Sequence, residues 1–326
     1  MTDYALRVSN LVKTYGAHRA VDEVSFAAPS GGVFGVLGPN GAGKSTTLRM
    51  AVGILTPDGG DVSLLGAPPN RKSLRRVGFL PEERGLYRSM TPLAVLAYMG
   101  RLKGMKARDA RKRGRQLLEE HGLGGYATKR VKALSKGMAQ KVQILASVMH
   151  EPELVILDEP FSGLDPVNQH TIETMIRGLA AEGRTVLFST HVMEHAERMC
   201  DQIVLFARGR TAFCGPVQEA LHAAPRAALL ETEGDFDLAA ALRPGGFTLT
   251  EEAPGQGVRR WRAPLEGSDA SRRLLGACVA AGAPLTLFEP TKASLHEAFV
   301  RLVGGAASPA DPRTAVGWRT PVNVGA

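Results

Sequence analysis

The stretch GPNGAGKS, from Gly38 to Ser45, decides the fold, because it matches the phosphate-binding loop pattern G-x-x-x-x-G-K-[S/T]. The apolar run Val33 to Leu37 precedes it as a predicted buried strand, and a predicted helix, Thr46 to Val52, follows it. In that context backbone N–H groups and the positive end of the helix can converge on phosphates. The alternative is a glycine-rich turn with an unrelated lysine, and the motifs in the rest of the chain argue against it.

This loop predicts specific contacts with a nucleotide. We expect Lys44 to reach the β- and γ-phosphates and the Ser45 hydroxyl to join the ligands of a bridging Mg²⁺ ion. Backbone contacts from the glycine-rich part bring the chain close to the phosphates. The residues of this segment predicted to bind ATP are Gly38, Pro39, Asn40, Gly41, Ala42, Gly43, Lys44, Ser45 and Thr46.

A second apolar run, Leu154 to Leu157, ends in the two carboxylates Asp158 and Glu159. A buried strand rarely ends in paired charges that have no use. Asp158 is therefore a predicted Mg²⁺ ligand, and Glu159 a predicted general base that accepts a proton from the attacking water. An acidic turn without function is the alternative, and the phosphate loop upstream argues against it.

The rest of the chain predicts an α/β fold with a mostly parallel sheet and a small carboxyl-terminal α+β domain. Further strands are predicted at Thr185 to Phe188 and Ile203 to Phe206, and a helical insertion, with Thr91 and Pro92 opening a helix, at about 84–150. We predict domains at 1–222 and 223–304 and a flexible tail at 305–326. The carboxyl-terminal predictions are strands at Ala227 to Leu230, Phe247 to Leu249 and Leu285 to Phe288, helices near Leu238 and Leu274, and a last helix opened by a capping box at Ser294 to Glu297.

Composition is that of a globular chain, with 44% hydrophobic and 22% charged residues. No apolar run reaches the roughly 18 residues of a membrane span, and the amino terminus lacks a signal-peptide pattern, so a cytosolic location is predicted. Cys200, Cys214 and Cys278 are expected to be packing residues. The net charge of +8 is densest across residues 101–115, where no aromatic residues are interleaved; we interpret this as a solvated helix face, with contact to anionic lipid as the minor alternative.

The segment Leu134, Ser135, Lys136, Gly137, Met138 adds a third motif shortly before the acidic strand. With it, residues of about 4–220 resemble the ATP-binding cassette (ABC) family, whose signature reads L-S-G-G-Q. The resemblance implies a P-loop NTPase cassette that pairs head to tail with a second copy or a related cassette. It also implies that Ser135, Lys136, Gly137 and Met138 contact the nucleotide held by the partner cassette.

Other site residues are implied by the same resemblance. Tyr15 matches the aromatic residue that stacks on adenine, and Asp165 matches the loop that joins the two sites. Asp165 is also predicted to cap the helix opened by Pro166. His191 matches the histidine that contacts the γ-phosphate, and it joins Lys44 and Glu159 as a predicted catalytic residue.

Three positions depart from the family pattern, and one of them is Met138, where the signature has glutamine. Glu82 stands where a Mg²⁺-ligating glutamine is usual, and Lys136 replaces a signature glycine. Glutamate can still bind the metal, so Glu82 is a predicted Mg²⁺ ligand with Ser45 and Asp158. We hypothesise that Lys136 of one subunit offsets the added charge of Glu82 in the opposite site.

The resemblance implies an ATP-hydrolysing subunit of an exporter, with ATP and Mg²⁺ as cofactors. It would lie on the inner face of the cell membrane, bound to a separate permease. A cassette ATPase acting on a ribosome or nucleic acid is the alternative, and no nucleic-acid partner is expected. A non-hydrolysing regulatory module is disfavoured, because Lys44, Asp158, Glu159 and His191 are all in place.

Overall fold

The computed structural model describes residues 4–83, 85–223, 226–255, 258–267, 269–291 and 294–304. They form two compact units, the first extending to Val217 and the second beginning at Gln218. Within the described ranges, no helix combines the length and apolar character that a membrane span requires. The predicted tail at 305–326 lies outside the described residues.

The first unit alternates strands and helices. Its strands are β1 (Tyr4–Tyr15), β2 (His18–Pro29), β3 (Gly32–Leu37), β4 (Gly59–Leu64), β5 (Val77–Leu80), β6 (Leu154–Asp158), β7 (Thr185–Thr190), β8 (Gln202–Ala207) and β9 (Arg210–Pro216). Its helices are α1 (Lys44–Ala51), α2 (Arg71–Leu74), α3 (Pro92–Leu102), α4 (Ala107–Glu120), α5 (Lys136–Val148), α6 (Pro166–Ala181) and α7 (Met193–Met199). Helix α8 (Val217–Ala223) crosses the boundary between the two units.

The central sheet has the order β5-β6-β7-β3-β8-β9 and is parallel except for β9, which runs antiparallel to β8. The four predicted strands are confirmed, and lie within β3, β6, β7 and β8. Buried on both faces, these strands form continuous apolar runs, as parallel strands do. Their carboxyl ends therefore meet at one edge of the sheet.

Two further layers cover this sheet. An antiparallel sheet of order β2-β1-β4, which the sequence analysis did not predict, shares a core with α1 through Leu6, Phe26 and Leu48. On the opposite side, α3, α4 and α5 contribute Leu96, Leu118 and other apolar residues to a second core. Thr91 caps α3 as predicted, its side chain accepting a hydrogen bond from the Ala94 N–H.

The second unit is an antiparallel sheet of order β11-β12-β10-β13 packed with helices around Trp261 and Leu274. Its elements are β10 (Ala227–Glu233), α9 (Leu238–Leu242), β11 (Thr250–Gly255), β12 (Val258–Pro264), α10 (Ala270–Ala280), β13 (Leu285–Pro290) and α11 (Leu295–Gly304). The predicted strand at Phe247 to Leu249 is wrong: these residues form a loop whose apolar side chains pack on the core. The capping box is confirmed, with reciprocal hydrogen bonds between Ser294 and Glu297.

The three cysteines are unpaired, as predicted. Cys278 is buried in the core of the second unit, and Cys200 and Cys214 pack against the two cores of the first. Burial raises the pKa of the Cys214 thiol to about 11, which suppresses the reactive thiolate. These residues therefore contribute packing.

Candidate ATP-binding site

The predicted motifs meet at the carboxyl edge of the parallel sheet. The phosphate loop follows β3, the acidic pair closes β6, and His191 follows β7. Strand register places Asp158 opposite Ser189 and Leu37 opposite Thr190. Ligands of open parallel sheets bind at this edge.

The phosphate loop passes directly into α1, which begins at Lys44. Gly43 adopts a φ of 99°, and a Cβ atom there would lie 2.6 Å from the carbonyl oxygen of Ala20, so only glycine fits. The buried ammonium of Lys44 donates to the carbonyl oxygens of Gly38 (2.7 Å) and Pro39 (3.1 Å). The loop thus holds one cation beside the amino end of a helix, an arrangement suited to phosphate.

The Asp158 carboxylate is almost fully buried and asymmetrically bonded. Its Oδ1 accepts hydrogen bonds from the hydroxyls of Ser45 (3.0 Å) and Ser189 (2.6 Å). Its Oδ2 is buried without a hydrogen-bond partner. A buried, unpartnered carboxylate oxygen next to a serine hydroxyl fits a hard divalent cation such as Mg²⁺.

No group of three or more His, Cys, Asp or Glu residues in the described part of the chain could hold a metal ion. A cation at Asp158 would therefore need phosphate oxygens or water to complete its ligands, as Mg²⁺ in phosphoryl-transfer sites does. Asp158 and Ser45 thus fit a Mg²⁺ ion whose other ligands come from a bound nucleotide or from water.

Glu159 is held in an unusual conformation between two basic groups. Its φ is 48°, in the left-handed region, and its N–H donates to Ser189 Oγ at 2.9 Å. Both carboxylate oxygens lie 3.1 Å from Nδ1 of His191, and Oε1 lies 3.6 Å from the Lys44 ammonium. A proton on Nδ1 of His191 would be shared between both oxygens of this carboxylate.

Ser189, which is not among the predicted site residues, bonds to Asp158 and to the Glu159 backbone. A serine near the end of an apolar strand gives no signal of its own. Its role follows from the β6–β7 register, which only the folded sheet defines.

The signature segment opens α5. Ser135 caps the helix, its Oγ accepting from the Met138 N–H at 3.2 Å, and Lys136 is exposed. Gly137 is buried, and a Cβ atom there would lie 2.1 Å from Oδ1 of Asn168 on α6. A larger residue at position 137 would therefore displace the Asn168 side-chain amide.

Asp165 is confirmed as the cap of α6. Its Oδ1 accepts from the Asn168 N–H (2.9 Å), and its Oδ2 from the Asn168 side-chain amide (2.6 Å). Hydrogen bonds from the Asn168 backbone and side chain hold the pKa of Asp165 below its usual value. Asp165 is therefore an exposed, ionised group at neutral pH.

The remaining predicted residues lie at the surface. Tyr15 ends β1 and is 51% exposed, a position open to a stacking base. Glu82 follows β5 and is exposed; among the described residues it makes no hydrogen bond or ion pair. Pro39, Asn40 and Gly41 form the exposed part of the loop, Ala42 is buried, and Thr46 is half-buried.

Comparisons with known proteins agree with this geometry. Residues 21–162 match the family model described as ABC transporter. The chain is 36% identical over 306 residues to an uncharacterized ABC transporter ATP-binding protein of Bacillus subtilis, covering 92% of this chain and 98% of that protein. It is 37% identical over 255 residues to the Nod factor export ATP-binding protein I of Paraburkholderia xenovorans, covering 77% and 81%.

A solved structure, described as the ATP-binding subunit of an ABC transporter, superposes with a TM-score of 0.61 and 32% identity. It covers 67% of this chain and 92% of its own, so the likeness concerns the cassette. The resemblance found in the motifs is confirmed at the level of the whole chain. The chain belongs to the ABC transporter family, as an ATP-binding subunit of the kind that hydrolyses ATP to power transport.

Proposed function

We propose that this chain drives an exporter from the inner face of the cell membrane, bound to a separate permease. The name of the Paraburkholderia relative, which refers to export, supports the direction of transport. None of the relatives described above is named for a ribosome or a nucleic acid, so the alternative gains no support. We further propose that residues 1–222 form the ATP-binding domain and residues 223–304 a small separate domain.

One observation carries the catalytic part of this proposal: Lys44, Glu159 and His191 converge at one sheet edge. Lys44 and the loop N–H groups would bind the phosphates of ATP. Glu159 would accept the proton of the attacking water, and His191, bonded to both its oxygens, would orient it. The buried position of Glu159 limits exchange of that proton with bulk water.

We propose that Asp158 and Ser45 hold Mg²⁺ together with the nucleotide. The metal, when bound, offsets the negative charge that develops on the phosphate oxygens. The unpartnered Oδ2 of Asp158 supports this assignment. Glu82 is proposed as a further ligand, because it lies two residues after β5, the strand beside β6.

We propose that two cassettes pair head to tail. The exposure of Ser135, Lys136 and Asp165 leaves them accessible to a second chain. ATP held between the phosphate loop of one chain and the signature of the other would favour the closed pair, and hydrolysis would remove that difference in affinity. The partner is a second copy or a related cassette.

The decisive experiment isolates this protein from its native membranes and identifies the polypeptide that co-purifies. We expect a multi-span permease, and ATP-dependent efflux from cells or vesicles that needs both proteins. A matched strain carrying Glu159→Gln should keep the complex and lose efflux. A ribosomal or nucleic-acid partner would contradict the exporter proposal.

A further inference from the structure

The ring of Phe161, two residues after Glu159, packs between two other rings. It is 3% exposed, stacks on His195 with ring centroids 4.1 Å apart and planes at 19°, and meets Phe188 edge-on at 5.6 Å. Phe188 belongs to β7 and His195 to α7. Phe161 therefore ties the chain that follows Glu159 to the element that follows His191.

The His195 ring is itself fixed by a buried carboxylate. Nδ1 of His195 lies 2.8 Å from Oε1 of Glu173 on α6, and both residues are buried. The Arg198 guanidinium binds the same oxygen. Burial raises the pKa of Glu173, but hydrogen bonds from Arg198 and His195 outweigh it and leave the pKa below its usual value. Nδ1 of His195 also lies 3.0 Å from Nη2 of Arg198, so Glu173, Arg198 and His195 form one polar cluster that fixes the imidazole ring.

The contacts among Phe161, His195 and Glu173 lie next to a strained position of the backbone, Glu159. Glu159 has a φ of 48°, which is unfavourable for a residue with a side chain and persists only where the surroundings hold it. Ser189 fixes the N–H of Glu159 on one side. On the other side, Gln140 of α5 donates to the Pro160 carbonyl oxygen at 2.9 Å, and Phe161 is the next anchor.

We propose that His195 and Glu173 are positioning residues for Glu159, acting through Phe161. Glu173 orients the imidazole, the imidazole holds the Phe161 ring, and the ring fixes the turn that points the Glu159 carboxylate at Lys44 and His191. None of the three residues touches the phosphate loop in any contact the structure describes, so ATP affinity does not depend on them. The inference rests on the proposed role of Glu159 as general base.

The test compares steady-state ATP hydrolysis by the whole chain and its permease with that of His195→Ala, Phe161→Ala and the double variant. We expect His195→Ala to lower kcat about tenfold or more and to change KM by less than about twofold, because a misplaced base slows the chemical step. The double variant should be no slower than the worse single variant, since both disrupt one support. Binding of a fluorescent ATP analogue should be unchanged.

Two further variants separate positioning from general stability. His195→Phe keeps a ring against Phe161 and leaves Glu173 paired with Arg198. The new ring lacks the nitrogen that Glu173 holds, so kcat should stay below the parent value by about threefold or more. His150→Ala removes a half-buried histidine that contacts the Val77 carbonyl group at the start of β5, and should lower the melting temperature without lowering kcat.

Three results would overturn the inference: full kcat in His195→Ala, strictly additive losses in the double variant, or the parent kcat in His195→Phe, which would show that the ring does not need Glu173. Each presupposes a parent protein that hydrolyses ATP and loses turnover with Glu159→Gln. A parent without that behaviour would remove the general base itself, and with it both this inference and the proposed function.

Discussion

The ammonium of Lys44 lies 3.6 Å from Oε1 of Glu159, so a buried cation faces the proposed general base within the site. Lys44 is 5% exposed and Glu159 8%. Opposite charges attract more strongly when they are withdrawn from water. Replacing either residue therefore also alters the surroundings of the other. ATP affinity reports on Lys44, and the rate of phosphate release reports on Glu159.

We predict that Lys44→Met weakens ATP binding by roughly 10- to 100-fold, since hydrogen bonds to charged groups contribute about 1.5–3 kcal/mol. Titration with a fluorescent ATP analogue measures this loss. Lys103→Met is a matched control, because the Lys103 ammonium also donates to two carbonyl oxygens, those of Leu74 at the end of α2 and Val77 at the start of β5. Equal affinity losses in both variants would show that the effect is a general one on folding.

We predict that Glu159→Gln lowers the rate of phosphate release by about 10²–10⁴-fold, the usual contribution of a general base. ATP retention should persist, because Lys44 and the loop backbone are unchanged. A stable pair of chains should then accumulate with ATP in gel filtration. Hydrolysis at the parent rate would remove Glu159 from the role of base.

We predict that Glu82 and Lys136 are energetically coupled across a pair of cassettes. Both are exposed in the single chain, where a partner could bring them together. Glu82→Gln and Lys136→Gly should each change ATPase activity, and the double variant should differ from the sum of the two free-energy changes by about 0.5 kcal/mol or more. An additive double variant would retire the hypothesis.

We predict that acid destabilises the first unit through His150. Burial, with the charge of Lys103 nearby, lowers the pKa of His150 to about 4. A histidine with a depressed native pKa gives full stability above the unfolded value of about 6.5 and loses it as the pH falls toward 4. Melting curves at pH 7 and pH 5 should therefore show a smaller drop for His150→Gln than for the parent, and an equal drop would contradict the assignment.

The parallel strands were predictable because each is a short, continuous apolar run, such as Val33 to Leu37. Strand β1 was missed, although Leu6, Val8 and Leu11 are all buried. Its register shifts between Val8 and Leu11, so the alternation of apolar and polar residues changes phase within the strand. A pattern of period two cannot be followed across such an irregularity.

In the second unit, buried and more exposed residues alternate along β12. Trp261 and Ala263 are buried, whereas Arg260 and Arg262 form ion pairs with glutamates on the neighbouring strands. The many arginines concealed this alternation. The apolar run at Phe247 to Leu249 misled for the opposite reason, since a loop can also place apolar side chains on a core.

Some residues of the candidate site were also predictable from the sequence, and others were not. Lys44, Asp158 and Glu159 stand in contiguous motifs whose chemistry is visible in the chain itself. Ser189 and Gln140 contribute through contacts between residues that are far apart in the sequence. Ser189 and Asp158 are separated by 31 positions, and Gln140 and Pro160 by 20. Such contacts depend on strand register and helix packing, which no short motif records.

The close contact between Gly137 and Asn168 has a mechanical consequence. Asn168 donates to Asp165 from its backbone N–H and from its side-chain amide, so the amide group beside Gly137 is also bonded to the residue that caps α6. A displacement of the α5 amino end toward Asn168 would therefore disturb the hydrogen bond between that amide and Asp165, and the two helix ends are expected to move together.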